Sequence, residues 1–103
     1  MKTKVRAGRQ VEDFLKTLAP EPRRALRLAV KSLPGGKGDV KLLEGRLSGF
    51  WRLRAGNIRV IFEIKAVGGE RVIFCLYANY RPTVYVVLEQ LLVSGLIEEL
   101  KQN

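Results

Sequence analysis

The chain changes its hydrophobic period once, near Phe50, and that change constrains its fold more than any other feature. Before it, apolar residues recur at helical spacing: Val11, Phe14, Leu15 and Leu18 fall at i, i+3, i+4 and i+7, one amphipathic stripe. Ala19-Pro20-Glu21-Pro22 interrupts the stripe, because proline cannot continue a helix interior but suits a first turn. Leu26, Ala29, Val30 and Leu33 then repeat the spacing, so two helices are expected as a hairpin. Pro34-Gly35-Gly36-Lys37-Gly38-Asp39 closes the second helix and reads as a loop.

After Phe50 the period is two. Runs at 50–55, 58–66 and 71–79 are separated by Gly56-Asn57 and Gly68-Gly69, both short-hairpin signals. Residues 2–7 are expected as an edge strand. A last segment from Thr83 or Val84 to Leu100, apolar at Val84, Leu88, Leu91, Leu92 and Leu96, is expected as one bent helix or two short ones, since Gly95 weakens its middle. The order β-α-α-β-β-β-α is α+β: an N-terminal helical hairpin packed on a small twisted antiparallel sheet. With 103 residues, 47% of them hydrophobic, residues 1–103 are expected as a single domain around one core.

The formal net charge is +9, from 19 Lys and Arg against 10 Asp and Glu, which favours nucleic acid or an acidic protein as partner. There is no histidine and one cysteine, Cys75, which removes internal disulfides, zinc sites and the histidine-based catalytic arrangements. Neither a metal nor another cofactor is expected, and any catalysis must use other groups. Cys75 lies in an apolar run, as a buried free thiol of a reducing cytoplasm does. No apolar run approaches the roughly 18 residues of a membrane span, and Met1-Lys2-Thr3-Lys4 leads into no secretory segment. A cytoplasmic location without a membrane partner is expected.

If Gly56-Asn57 is a two-residue turn, counting outward sets Leu53 opposite Val60 and Trp51 opposite Phe62 on the core side. The other side then carries Arg54 directly across from Arg59, and Arg52 across from Ile61. Arg52 and Arg54 stand about 7 Å apart along their strand. Like charges paired across strands cost up to about 1 kcal/mol, so an anion is expected there. Glu63, one step away, is one source of counter-charge. A phosphate backbone suits forked, permanently ionised guanidinium groups better than a single carboxylate does, but spacing alone leaves RNA and an acidic protein both open. A Gly68-Gly69 turn sets Phe74 and Leu76 beside Glu63 and Ile61 on the same side, so part of it must be covered, by the C-terminal helix or by a partner's.

Val11-Glu-Asp-Phe-Leu-Lys-Thr-Leu18, Leu43-Glu-Gly45, Phe50-Trp-Arg-Leu-Arg-Ala-Gly-Asn-Ile-Arg-Val-Ile-Phe62 and Tyr80-Arg-Pro-Thr-Val-Tyr85 occur in this order. Together they resemble the RelE/ParE superfamily of toxins from bacterial toxin-antitoxin pairs, over roughly residues 9–90. The resemblance implies one of two activities, cleavage of messenger RNA in the ribosomal A site or poisoning of DNA gyrase, and an acidic antitoxin as partner. A degenerate toxin kept as a binding module is a further alternative. For the RNA-cutting members it implies a basic cluster with a C-terminal tyrosine, matching Arg52, Arg54, Arg59, Arg81 and Tyr85 here. In that reading Tyr85 transfers a proton, Arg59 and Arg81 stabilise the transition state, and Arg52 and Arg54 hold the RNA backbone. The chain departs from the pattern in two ways: some relatives have lysines at positions 52 and 54, and many have histidine at position 80. Simple alternation also puts Tyr80, not Arg81, on the arginine side, so a bulge or strand end is needed to turn Arg81 inward.

Overall fold

The computed structural model describes residues 2–95. Its elements are β1 (Thr3–Ala7), α1 (Arg9–Lys16), α2 (Pro20–Lys31), β2 (Asp39–Leu42), β3 (Trp51–Ala55), β4 (Ile58–Val67), β5 (Glu70–Tyr80) and α3 (Arg81–Ser94). Single 3₁₀ turns at Leu33–Gly35 and Gly45–Leu47 flank β2. The strands form one sheet in the order β1-β5-β4-β3-β2. The α+β class and the helical hairpin are as expected, with two differences in the sheet.

First, β2 is a strand where the sequence suggested only the end of a loop. It is four residues long and exposed throughout, so Asp39-Val40-Lys41-Leu42 alternates too briefly to stand out. Second, β1 is an edge strand as expected but runs parallel to β5, which makes the sheet mixed. The helical hairpin carries the chain from β1 to the opposite edge, and the β2 to β5 meander then brings β5 back beside β1.

Each face of the sheet has its own apolar cluster. On one, the hairpin buries Val11, Leu15, Leu18, Leu26 and Val30 against Leu53, Val60, Phe62, Cys75 and Ala78. On the other, Val84 and Leu88 of α3 pack with Leu47, Ile61, Leu76 and Tyr77. The chain's own helix therefore covers the apolar part of the arginine side. Helix α3 begins at Arg81 with Pro82 in its first turn, earlier than the sequence suggested, and ends at Gly95, whose φ of 76° caps it. The expected continuation through Leu96 to Leu100 lies outside the described residues.

Two side chains join the hairpin to itself and to the sheet. Arg23 of α2 donates from Nε to Leu15 O at 3.1 Å and from Nη2 to Leu18 O at 2.8 Å, tying α2 to the backbone at and just past the end of α1. Gln10 of α1 accepts from Ala78 N at 2.7 Å and donates to Ala78 O at 2.8 Å. Because β1 pairs with β5 only as far as Cys75, the Gln10 amide takes the place of the missing strand backbone at Ala78.

Between those two positions β5 carries a bulge. Ile61 pairs with Tyr77 and Phe62 with Cys75, so Leu76 has no partner of its own on β4. Leu76 and Tyr77 consequently both join the α3 side, and the alternation of everything after them is shifted by one.

Candidate nucleic-acid interface

The hairpin β3–β4 has the register counted from its turn: Trp51 opposite Phe62, Leu53 opposite Val60, Arg52 opposite Ile61 and Arg54 opposite Arg59. Adding β2 and β5 extends each of the arginine rows across four strands. One row reads Asp39, Arg54, Arg59, Asn79, and the next reads Lys41, Arg52, Ile61, Tyr77.

Asp39 answers part of the charge. Its Oδ1 lies 3.3 Å from Arg52 Nη1 and its Oδ2 lies 3.4 Å from Arg54 Nε, so one carboxylate bridges two guanidinium groups. Arg52 also donates to the Asp39 carbonyl at 3.3 Å, and its side chain is only 16% exposed, against 57% for Arg54. Asp39 thus supplies the counter-charge considered for Glu63, while Glu63 pairs with Lys65 at 3.5 Å.

Arg59 is 7% exposed and makes no ion pair among the described residues. Its Nη1 donates to Gly56 O at 2.8 Å and to Ile58 O at 3.1 Å, curling the side chain onto the turn of its own hairpin. Burying a charge is costly unless its donors are met, and here two backbone carbonyls meet the donors of Nη1 without cancelling the charge. Next to Arg59 in the row, Asn79 donates to the Tyr77 hydroxyl at 3.0 Å and accepts from Tyr80 N at 2.8 Å.

Tyr85, on α3, is half-buried against the α3-side cluster. It also lines a cleft of about 290 Å³ together with Lys41, Leu42, Leu43, Glu44 and Arg52. Tyr85 and Arg52 therefore share one cleft, Arg54 is tied to Arg52 through Asp39, and Arg59 follows in register. Arg81 stands apart. Its backbone N–H donates to Asn57 O at 2.8 Å, which fixes the start of α3 at the β3–β4 turn, but its side chain is exposed and, among the described residues, makes no hydrogen bond or ion pair.

The β5 bulge corrects the simple alternation for Tyr80. Instead of joining the arginines, Tyr80 turns to the hairpin side and meets Phe14 edge to face, with ring centroids 5.4 Å apart. The same shift leaves Asn79 opposite Arg59, and the strand ends at Tyr80, before position 81. Lys41, Asp39 and Glu44 are additions that sequence reasoning missed. The two-residue period of Asp39-Val40-Lys41-Leu42 was the available signal. Cys75 belongs to the opposite face, where burial pushes its thiol up from 9.0 to about 12.

Fold and site together define a small α+β protein whose sheet presents rows of cations beside a tyrosine-lined cleft. No protein-family model matches the chain, and no curated protein matches it in sequence. Among solved structures, it is similar to a chain of the RelBE2 toxin-antitoxin complex of Mycobacterium tuberculosis, with a TM-score of 0.59 and 24% identity over 79% of this chain and 100% of that one. An archaeal RelE-RelB complex from Pyrococcus horikoshii OT3 gives 0.53 and 27% over 79% and 97%. A YoeB/ParE toxin from Agrobacterium tumefaciens gives 0.52 and 18% over 78% and 98%. The fold is that of the RelE/ParE superfamily of toxins, in agreement with the resemblance read from the sequence.

Proposed function

We infer that this chain is the toxin of a toxin-antitoxin pair and acts as an endoribonuclease on messenger RNA in the ribosomal A site. The observation that carries the reading is the cleft shared by Arg52, Lys41 and Tyr85 beside Arg54 and Arg59, a group of four cations whose ion pairs among the described residues come from Asp39 alone and reach only Arg52 and Arg54. Such a surface attracts a ribose-phosphate chain, and a phenol at its edge supplies a transferable proton.

In the reaction, the 2′-oxygen loses its proton and attacks the adjacent phosphorus, the bond from phosphorus to the 5′-oxygen breaks, and that oxygen takes up a proton. The products are a 2′,3′-cyclic phosphate and a 5′-hydroxyl. Tyr85 gives the 5′-oxygen that proton, and the proton of the 2′-hydroxyl passes to water. Arg52 and Arg54 hold the backbone, and Arg59 and Arg81 stabilise the charge that builds on the non-bridging oxygens. Arginine stays protonated, so it serves as an electrostatic group and not as an acid. The protein's part in this chemistry runs on side chains.

The partner is an acidic antitoxin, a reading supported by the RelB complexes among the similar structures and by a net charge of +9. No helix among the described residues is long and apolar enough to cross a membrane, and the cytoplasm is the site of action that the ribosomal target requires.

Primer extension on messenger RNA in a translating extract tests the reading. Cuts within A-site codons that vanish in Tyr85→Phe are expected. Intact RNA accompanied by accumulated cleaved DNA complexes would instead make the chain a gyrase inhibitor on the same fold.

A further inference from the structure

The Arg52–Tyr85 cleft holds one group that a phosphate-binding surface has no use for. Glu44 lines it along with Lys41 and Arg52. Its side chain is exposed and, among the described residues, forms no ion pair, whereas Asp39 is already committed to Arg52 and Arg54. The backbone holds it in place: the Glu44 carbonyl accepts from Leu47 N–H at 3.3 Å, Leu47 is buried under α3, and Gly45 takes a φ of 67° that turns the chain away directly after it. A carboxylate so placed repels phosphate and accepts hydrogen bonds only. A ligand group matched to it is therefore a hydrogen-bond donor.

We propose that Glu44 reads a nucleobase of the bound RNA and selects guanine. Guanine alone among the four bases presents two adjacent donors, N1–H and the 2-amino group, on its Watson-Crick edge, and two carboxylate oxygens match them as a parallel pair. Uracil offers a single N–H between two carbonyl oxygens, which a carboxylate repels. Tyr85 and the neighbouring Leu42 and Leu43 supply surface against which a splayed base packs, and Lys41 and Arg52 hold the phosphates on either side of it. The cleft, at about 290 Å³, is near the lower end of the range for small-molecule sites.

This inference rests on the reading of the cationic face as an RNA site, but its test needs no cleavage. Fluorescence anisotropy with the full chain compares two non-cleavable 2′-O-methyl pentaribonucleotides, UUGUU and UUUUU. The wild type is expected to bind UUGUU about tenfold more tightly. In Glu44→Ala and Glu44→Gln the two affinities converge to within about twofold, with UUUUU bound no more weakly than by the wild type. Lys41→Ala weakens both oligonucleotides alike, because it contacts backbone. Equal wild-type affinities, no binding of either oligonucleotide, or a guanine preference that survives in Glu44→Ala overturns the proposal. Loss of A-site cuts in the translating extract is a separate readout, so a failed nuclease reading and a failed guanine reading give different results.

Discussion

Arg59 and Arg54 face each other across one hairpin, yet they do different work because one is buried and the other is not. Removing Arg59 leaves the Gly56 and Ile58 carbonyls short of a donor. Arg59→Ala is therefore expected to lower stability by about 1–3 kcal/mol, measured as a fall in the urea midpoint. Arg54→Ala should shift it by under about 0.5 kcal/mol. Tyr85→Phe keeps the ring that packs on the α3-side cluster and removes only the hydroxyl. Its expected effect is a loss of about 10²–10⁴-fold in cleavage with RNA affinity retained, read by single-turnover cleavage and anisotropy side by side. Cys75 gives a prediction in pH. Its folded-state value, near 12, lies above the unfolded 9.0, so the native state binds more protons between the two. The thiol's contribution to stability is then complete below pH 9 and is lost as pH rises toward 12, by up to about 1.4 kcal/mol per pH unit. The difference in urea midpoint between wild type and Cys75→Ala, followed from pH 8 to pH 11, checks the sign.

Among the elements, β5 has the most consequences. Its bulge supplies Tyr77 to the α3 side, delivers Asn79 to Arg59, and sends Tyr80 to Phe14. An extra residue in one strand survives only where the local backbone groups find partners. Gln10 provides two of them at Ala78. Gln10→Ala leaves a part-buried N–H and C=O unmet and is expected to cost about 1–3 kcal/mol, with faster hydrogen exchange at the Ala78 amide as the local signature. Gln10→Glu can accept from Ala78 N but cannot donate to Ala78 O, so it should rescue only the accepting half.

At the scale of the whole molecule, the sheet is apolar on both faces, and α3 covers enough of the second face to bury Ile61, Leu76 and Tyr77 while Lys41 and Arg54 stay exposed and the cleft beside Arg52 stays open. A net charge of +9 adds long-range attraction for any polyanion. Binding to single-stranded RNA should then weaken with salt at about −0.7 in log K per log salt for each phosphate neutralised, or about −3 if Lys41, Arg52, Arg54 and Arg81 each take one. Arg54→Ala is expected to make that slope shallower by about 0.7. A salt titration of the wild type and the variant checks both values.

Local rules determined a good deal of this. The spacing of Val11, Leu15, Leu26 and Val30 specified the helical hairpin, and a two-residue turn at Gly56-Asn57 was enough to set Arg54 opposite Arg59, because strand register follows from counting. What counting could not reach was decided in three dimensions. Whether Asp39 and Lys41 stand beside the arginines depends on a four-residue strand that exists only because β3 offers it a ladder. Which way Tyr80 faces depends on a bulge with no mark in the residue pattern, stabilised by a glutamine 68 positions away. Periodicity reports which side of its own element a residue takes, whereas the partners that meet there come from distant parts of the chain.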